Sequence, residues 1–234
     1  MNFILQLFSV NTTFFTIFGY QMSYIEFFGT LLNLWCVWLV MRKHIWNWPV
    51  GIVGVILFAS LFYQLHLYAD LFEQWYYFVT GFIGWYAWAK AKKPKDKDDD
   101  ILVERNSLMT NIYWLIGIGM FTVIGTWVMT HLNVWLPRFF PVAASLPVLD
   151  TWTTIMSFAA QILMIQKKLE NWMLWIIVDV IGIGLYWYKG VPFVALLYVI
   201  FLGLATNGLI TWQQTYRRQH HEARTRGGEI LPTA

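Results

Sequence analysis

One carboxylate stands where a carboxylate is costly. Asp179 lies in the middle of the apolar run Asn171–Tyr188. An acid near the centre of a membrane-crossing helix costs on the order of 2.5–3.5 kcal/mol on insertion scales, so it is read first as functional. At helical spacing, Asn171, Trp175, Asp179 and Gly182 fall on one face, which offers an amide, an indole, an acid and a gap. The structural alternative is a hydrogen bond inside a helix bundle, with Asp179 protonated. A second face carries Gln74, Tyr77, Gly81, Trp85 and Trp88, and a third carries Tyr198, Phe201, Ala205 and Trp212. Small residues let helices approach and aromatic rings can wall a slot between them; plain helix packing explains Gly81, Gly84 and Gly208 equally well. Thr30, Asn33 and Val37 are matched by Thr154, Ser157 and Gln161, and of these Gln161 is the best ligand candidate. The candidate contacts are therefore Gln74, Tyr77, Trp85, Gln161, Asn171, Trp175, Asp179 and Tyr198.

The elements that must position these groups are membrane spans. Hydrophobic residues make up 58% of the 234 and charged residues 12%, against about 25% charged in soluble domains. A water-soluble globule of this composition would expose large apolar patches and associate. The apolar runs are Tyr24–Met41, Asn47–Leu65, Asp70–Ala89, Ser107–Thr130, Asp150–Gln166, Asn171–Tyr188 and Pro192–Gln214. About 20 residues cross a 30 Å hydrocarbon core, so the expectation is an all-α integral membrane protein with seven transmembrane helices. Residues 1–23 have neither a basic n-region nor a small-residue cleavage site, which favours an interfacial helix or an outer plug over a signal peptide. The other expected segments are a charged linker (90–106), an outer loop (131–149) and a polar, frayed tail (215–234).

Charge placement tests the count. Of the 16 Lys and Arg residues, 14 fall on one side if there are seven spans, and only Arg138 and Lys189 on the other. The positive-inside rule then puts the C-terminus in the cytoplasm and the N-terminus outside. Glu26, Asp70, Glu73 and Asp150 fall at outer helix ends, where the helix dipole favours acids; together they would also make the outer mouth attractive to cations.

The chain repeats itself at an offset of 124 positions. Lys43, Asn47 and Trp48 meet Lys167, Asn171 and Trp172, and Gly84 and Trp88 meet Gly208 and Trp212. Two three-helix units, 24–89 and 150–214, are joined by a linking helix at 107–130. An odd number of linking spans gives the two bundles the same orientation, the parallel-repeat arrangement of SWEET transporters, with a site near the midplane at the repeat interface. Asn47, Trp48, Trp172, Gly84 and Gly208, together with Asn171, are assigned to an inner gate or framework. An aromatic belt at the membrane surface is the alternative for Trp48 and Trp172.

Several chemistries are excluded. The single Cys36 allows no disulfide framework and no cysteine-based zinc site. HExxH, Walker and GxSxG motifs are missing. His44, His66 and His131 fall in expected loops, and no lysine lies deep in the last span for a retinal Schiff base. Neither a metal, a cofactor nor nucleic-acid binding is implied.

The repeated K-x3-N-W blocks, the segment LYADLFEQWYYFVTGFIGWYAW (67–88) and the segment KKLENWMLWIIVDVIGIGLYWYKG (167–190) resemble the PnuC family of bacterial nicotinamide riboside transporters. The likeness runs from about residue 20 to about residue 215. It implies a 3+1+3 fold, a homotrimer in the bacterial inner membrane, and facilitated diffusion of nicotinamide riboside with no enzymatic step of its own. It also implies functional coupling to a cytoplasmic riboside kinase. At Asp179 the family pattern commonly carries an amide, so this chain departs from it there. The substrate chemistry fits: tryptophan faces attract a pyridinium at about 0.5–2 kcal/mol per contact, and amides read the carboxamide and hydroxyls. A site without Lys or Arg is a poor phosphate site, so the 5′-phosphate should be rejected. The competing readings are a related vitamin such as thiamine, and a receptor that does not transport.

Overall fold

The structure is a computed structural model that describes residues 8–17, 19–65, 68–91, 101–138, 146–188, 190 and 192–228. His66, Lys189, most of the charged linker and residues 139–145 of the expected outer loop lie outside the described residues. The chain divides into two compact units, Met1–Lys90 and Ala91–Ala234.

The first unit opens with a two-stranded antiparallel hairpin, β1 (Thr13–Ile17) and β2 (Tyr20–Ser23). Over these residues this corrects the helix alternative given for the N-terminal segment; residues 1–7 lie outside the described residues. Thr, Phe, Ile and Tyr suit a pleated backbone better than a helix, and Gly19 in the connection takes φ +82°, which a side chain disfavours. Three helices follow: α1 (Tyr24–Met41), α2 (Asn47–Gln64) and α3 (Tyr68–Ala89), with α2 packed against both neighbours. Ser23 caps α1, its Oγ accepting from the backbone N–H of Glu26 at 3.3 Å. The hairpin is tied down at both ends. Phe14 packs on Tyr24 and Phe27 with ring centroids 4.5 and 5.2 Å away, and Gln64 donates to the Phe8 carbonyl (2.7 Å) and accepts from the Val10 N–H (3.0 Å). The Tyr20 hydroxyl donates to Glu26; burial first, and then that carboxylate, hold the phenol protonated above its ordinary range.

The second unit holds α4 (Leu108–Trp135), α5 (Pro147–Ile165), α6 (Asn171–Tyr188) and α7 (Pro192–Gly228), each packed on the next in chain order. Pro147 sits in the first turn of α5, where its missing N–H is harmless. Its core gathers Ile118 from α4, Met156, Ala159, Ala160 and Leu163 from α5, and Leu174 and Val178 from α6. Two boundaries differ most from expectation, beside a start of α5 three residues earlier than Asp150. α4 runs on to Trp135, so His131 is helical and stacks on Trp135 (5.5 Å) instead of lying in a loop. α7 continues to Gly228, so the expected frayed tail is mostly helix.

Among the described residues six helices are long and apolar enough to cross a membrane; α3 is the helix outside that set. The surface agrees with a bilayer as solvent. On α4 only Ile118 is buried, and Leu108 and Val123 are 79% and 71% exposed.

Candidate functional site

The repeated K-x3-N-W block builds the same turn twice. Lys43 and Lys167 take φ 59° and 61° and are the only non-glycine residues with positive φ among those described. Each ends its helix in a Schellman motif. Lys43 N–H donates to Val40 O (2.8 Å) and His44 N–H to Leu39 O (2.9 Å); Lys167 and Lys168 repeat this with Met164 O (2.9 Å) and Leu163 O (2.8 Å). The asparagine side chain closes the turn from the other side. Asn47 Nδ2 donates to His44 O (2.8 Å) and Asn171 Nδ2 to Lys168 O (2.6 Å), both residues at most 1% exposed. Asn171 thus has a structural task besides its place on the candidate binding face.

The tryptophans complete the framework. Trp48 packs edge-to-face on Trp88 (5.3 Å, 89°) and Trp172 on Trp212 (5.7 Å, 84°). Gly84 and Gly208 are glycine because the indoles occupy the space of a side chain: a Cβ would stand 2.1 Å from Trp48 Cη2, or 2.6 Å from Trp172 Cη2. All four indoles are at most 3% exposed, which removes the aromatic-belt alternative. It also moves Trp88 and Trp212 from the walls of a ligand slot to the framework. The Trp48 and Trp172 Nε1–H groups and the Asn47 and Asn171 Oδ1 atoms are buried without a hydrogen-bond partner, a pattern common to both repeats.

A strap that the sequence reading missed braces the second of these turns. Segment 101–106 runs extended, with Ile101 and Val103 0% and 2% exposed. Along one edge Glu104 N–H donates to Lys167 O (3.0 Å) and its carbonyl accepts from Leu169 N–H (2.9 Å). Lys168 Nζ meets Glu104 Oε2 at 2.6 Å, and Glu170 Oε1 accepts from Asn106 N–H at 3.1 Å. Along the other edge Gln219 of α7 works like a strand neighbour: its Oε1 accepts from Val103 N–H (3.0 Å) and its Nε2 donates to Ile101 O (3.3 Å). The alternation in Ile101-Leu-Val103 and the position of Gln219 one heptad after Trp212 are the signals that could have found it.

The polar candidates divide by unit. In the second, Asp179 (5% exposed), Gln161 (7%) and Ser157 (6%) are buried next to the α5–α6 core residues Val178, Ala160 and Met156. Asp179 makes no ion pair among the described residues. Trp175 is partly buried and packs against that core. Tyr198 of α7 lies against Gly182 of α6, where a Cβ would be 2.5 Å from its Cδ1, and stacks on Tyr186 (5.3 Å, 20°). In the first unit, Gln74 and Tyr77 are half-buried on α3, and the Tyr77 hydroxyl donates to Glu73 Oε1 (3.1 Å). Trp85 is 40% exposed. Asn33 of α1 is occupied by the carbonyl one turn back, at Gly29 (3.0 Å).

Comparison with known proteins agrees with this architecture. Residues 23–214 match the family model described as nicotinamide mononucleotide transporter. The nicotinamide riboside transporter PnuC of Escherichia coli is 31% identical over 222 residues, covering 88% of this chain and 91% of that protein. The riboflavin/roseoflavin transporter RibM of Streptomyces davaonensis is 24% identical, covering 89% and 93%. A crystal structure of the vitamin B3 transporter PnuC superposes with a TM-score of 0.65 at 24% identity, covering 84% of this chain and 83% of that one, and so shares the fold. The chain therefore belongs to the nicotinamide mononucleotide transporter family, a family of multi-pass membrane transporters that includes the PnuC proteins.

Proposed function

We propose that the protein carries nicotinamide riboside across the bacterial inner membrane by facilitated diffusion, each three-helix bundle moving as a body in alternating access. The observation that carries the substrate is the composition of the spans in a chain whose relatives are named for this riboside. Buried amides, an acid and aromatic rings are present, but no Lys or Arg lies inside any of the seven helical runs up to residue 214. The family description names the mononucleotide and the relatives name the riboside. We favour the riboside, because a dianionic phosphate in a membrane-buried site needs cationic partners, which these spans lack. Gln74, Tyr77, Trp85, Gln161, Asn171, Trp175, Asp179 and Tyr198 supply the contacts; Asn47, Trp48, Trp172, Gly84 and Gly208 form the gate framework.

In this reading α3 is the seventh span. Its 22 residues reach about 33 Å at 1.5 Å per residue, and its many Tyr and Trp lower its hydropathy without adding a charge past Glu73. Seven spans, as two three-helix bundles and the linking α4, put the termini on opposite sides, and the basic residues favour the N-terminus outside and the C-terminus in the cytoplasm. The assembly is a homotrimer, and a cytoplasmic kinase traps the imported riboside. Uptake of radiolabelled riboside into proteoliposomes tests the reading: saturable uptake supports it, and uptake no faster than leak refutes it. A flavin-type substrate is the second reading, favoured by the relative named for riboflavin, and competition with riboflavin in the same assay decides between them.

A further inference from the structure

The framework glycines recur in both repeats; Gly182 does not. At the offset that maps Gly84 onto Gly208, Gly182 corresponds to Phe58 and Tyr198 to Gln74. Bulk and gap are thus exchanged. In the first bundle the ring comes from α2, where Phe58 stacks on Phe62 (5.8 Å, 17°), and α3 contributes the amide. In the second bundle α6 contributes the gap and α7 the ring. A Cβ at residue 182 would stand 2.5, 2.6 and 2.9 Å from Cδ1, Cε1 and Cγ of Tyr198, so one edge of the ring takes the space of the missing side chain. Tyr186, one helical turn along α6, stacks on the same ring at 5.3 Å, and Phe201 meets it edge-on at 6.4 Å. Asp179 lies one turn the other way on α6 and is buried. The scaffold does not demand this glycine, since its repeat mate is a phenylalanine.

We propose that Gly182 is a specificity-determining position: by lacking a Cβ it seats the Tyr198 ring against α6 one turn from Asp179, and ring and acid together select a flat, cationic ring. The proposal rests on the riboside reading above and adds a positioning residue to it. Gly182 acts through Tyr198 and does not itself touch the substrate. The tyrosine supplies a π-face, the acid supplies charge complementarity, and a neutral or non-planar ring loses one of the two.

The test is initial-rate uptake of nicotinamide riboside into proteoliposomes, with KM and Vmax separated and thermal stability measured alongside. Gly182→Ala should raise KM by about 10-fold and leave Vmax within about two-fold, the pattern of lost substrate binding. Gly184→Ala, two residues on with open space around its Cβ, should leave both unchanged. Tyr198→Leu, which introduces no clash, should raise KM as much as Gly182→Ala does. The double variant Gly182→Ala/Tyr198→Leu should regain stability without regaining KM. A wild-type KM in Gly182→Ala or in Tyr198→Leu overturns the proposal, as does recovery of KM in the double variant. A wild-type protein that does not take up the riboside overturns the parent reading together with this one; an active wild-type with an unaltered Gly182→Ala overturns this one alone.

Discussion

Replacing Gly84 by alanine puts the repeat framework under a defined load. The new Cβ would stand 2.1, 2.3 and 2.4 Å from Cη2, Cζ3 and Cζ2 of Trp48. Ordinary contact begins near 3.4 Å, so the indole must retreat by more than an ångström. It has little room: Trp48 is 3% exposed and Trp88 packs on it edge-to-face. Overpacking of this kind costs about 1–3 kcal/mol, against which alanine regains about 1 kcal/mol of helix propensity. A 2.1 Å approach to a buried ring belongs in the upper part of that range, about 2–3 kcal/mol, so the clash wins by about 1–2 kcal/mol, which at about 2–4 °C per kcal/mol lowers the melting temperature by roughly 2–8 °C. Fluorescence-detected melting of the purified protein reads this directly. Gly117→Ala and Gly203→Ala, with nothing within 4 Å of their Cβ positions, should melt at or above the wild-type temperature. Trp48→Phe removes the ring atoms that collide, together with an unpartnered buried N–H, so Gly84→Ala should be milder in that background by about 1–2 kcal/mol. A Gly84→Ala protein as stable as wild type, or strict additivity with Trp48→Phe, would refute the packing argument.

Three further outcomes are expected. Asp179→Asn should raise the KM for riboside uptake by about 10-fold through loss of charge complementarity to the pyridinium, and unchanged affinity removes that role. Calorimetry should show the riboside binding and its 5′-phosphate not binding; comparable binding of the two contradicts the argument from the missing Lys and Arg. Gln219→Leu removes two hydrogen bonds to the strap at about 0.5–1.5 kcal/mol each, so amide exchange at Val103 and Glu104 should accelerate about 5-fold or more while α1–α3 exchange as before. Unaltered exchange at those two amides shows that Gln219 does not hold the segment.

Six long apolar helices were legible because their signal is additive over about 20 residues, and the packed Asn–Trp–Gly framework because it is written twice. Lys43 and Lys167 show what kind of information a repeat carries: the sequence marks the position as shared, but only the backbone reveals that the shared property is a left-handed helix end. Trp88 and Trp212 were left between two readings because facing inward is common to a ligand wall and a packing contact, and helical spacing alone does not separate them. The hairpin was hidden because an uncharged aromatic stretch beside a membrane span reads as interfacial first, and that reading drew attention away from the strand preference of its Thr, Phe, Ile and Tyr. The strap was hidden by distance, because the partner of Val103 is 116 residues further along the chain. The pairing of Gly182 with Tyr198 was out of reach for a similar reason: a gap on one helix predicts a neighbour but does not say which.

That distance has a consequence for the order in which the chain can finish folding. Synthesis proceeds from the N-terminus, so residues 101–106 emerge long before Gln219 does. Until the ribosome has passed residue 219, the Val103 N–H and the Ile101 carbonyl have no such side chain to meet, whatever the state of α4, α5 and α6. The second unit is thus completed by a turn in the C-terminal part of α7. A truncation at Gln214, the end that the sequence suggests for the last span, would leave the segment joined along one edge only. Affinity tags and reporter fusions on this protein should therefore be attached beyond residue 219, since that stretch belongs to the fold and is not spare tail.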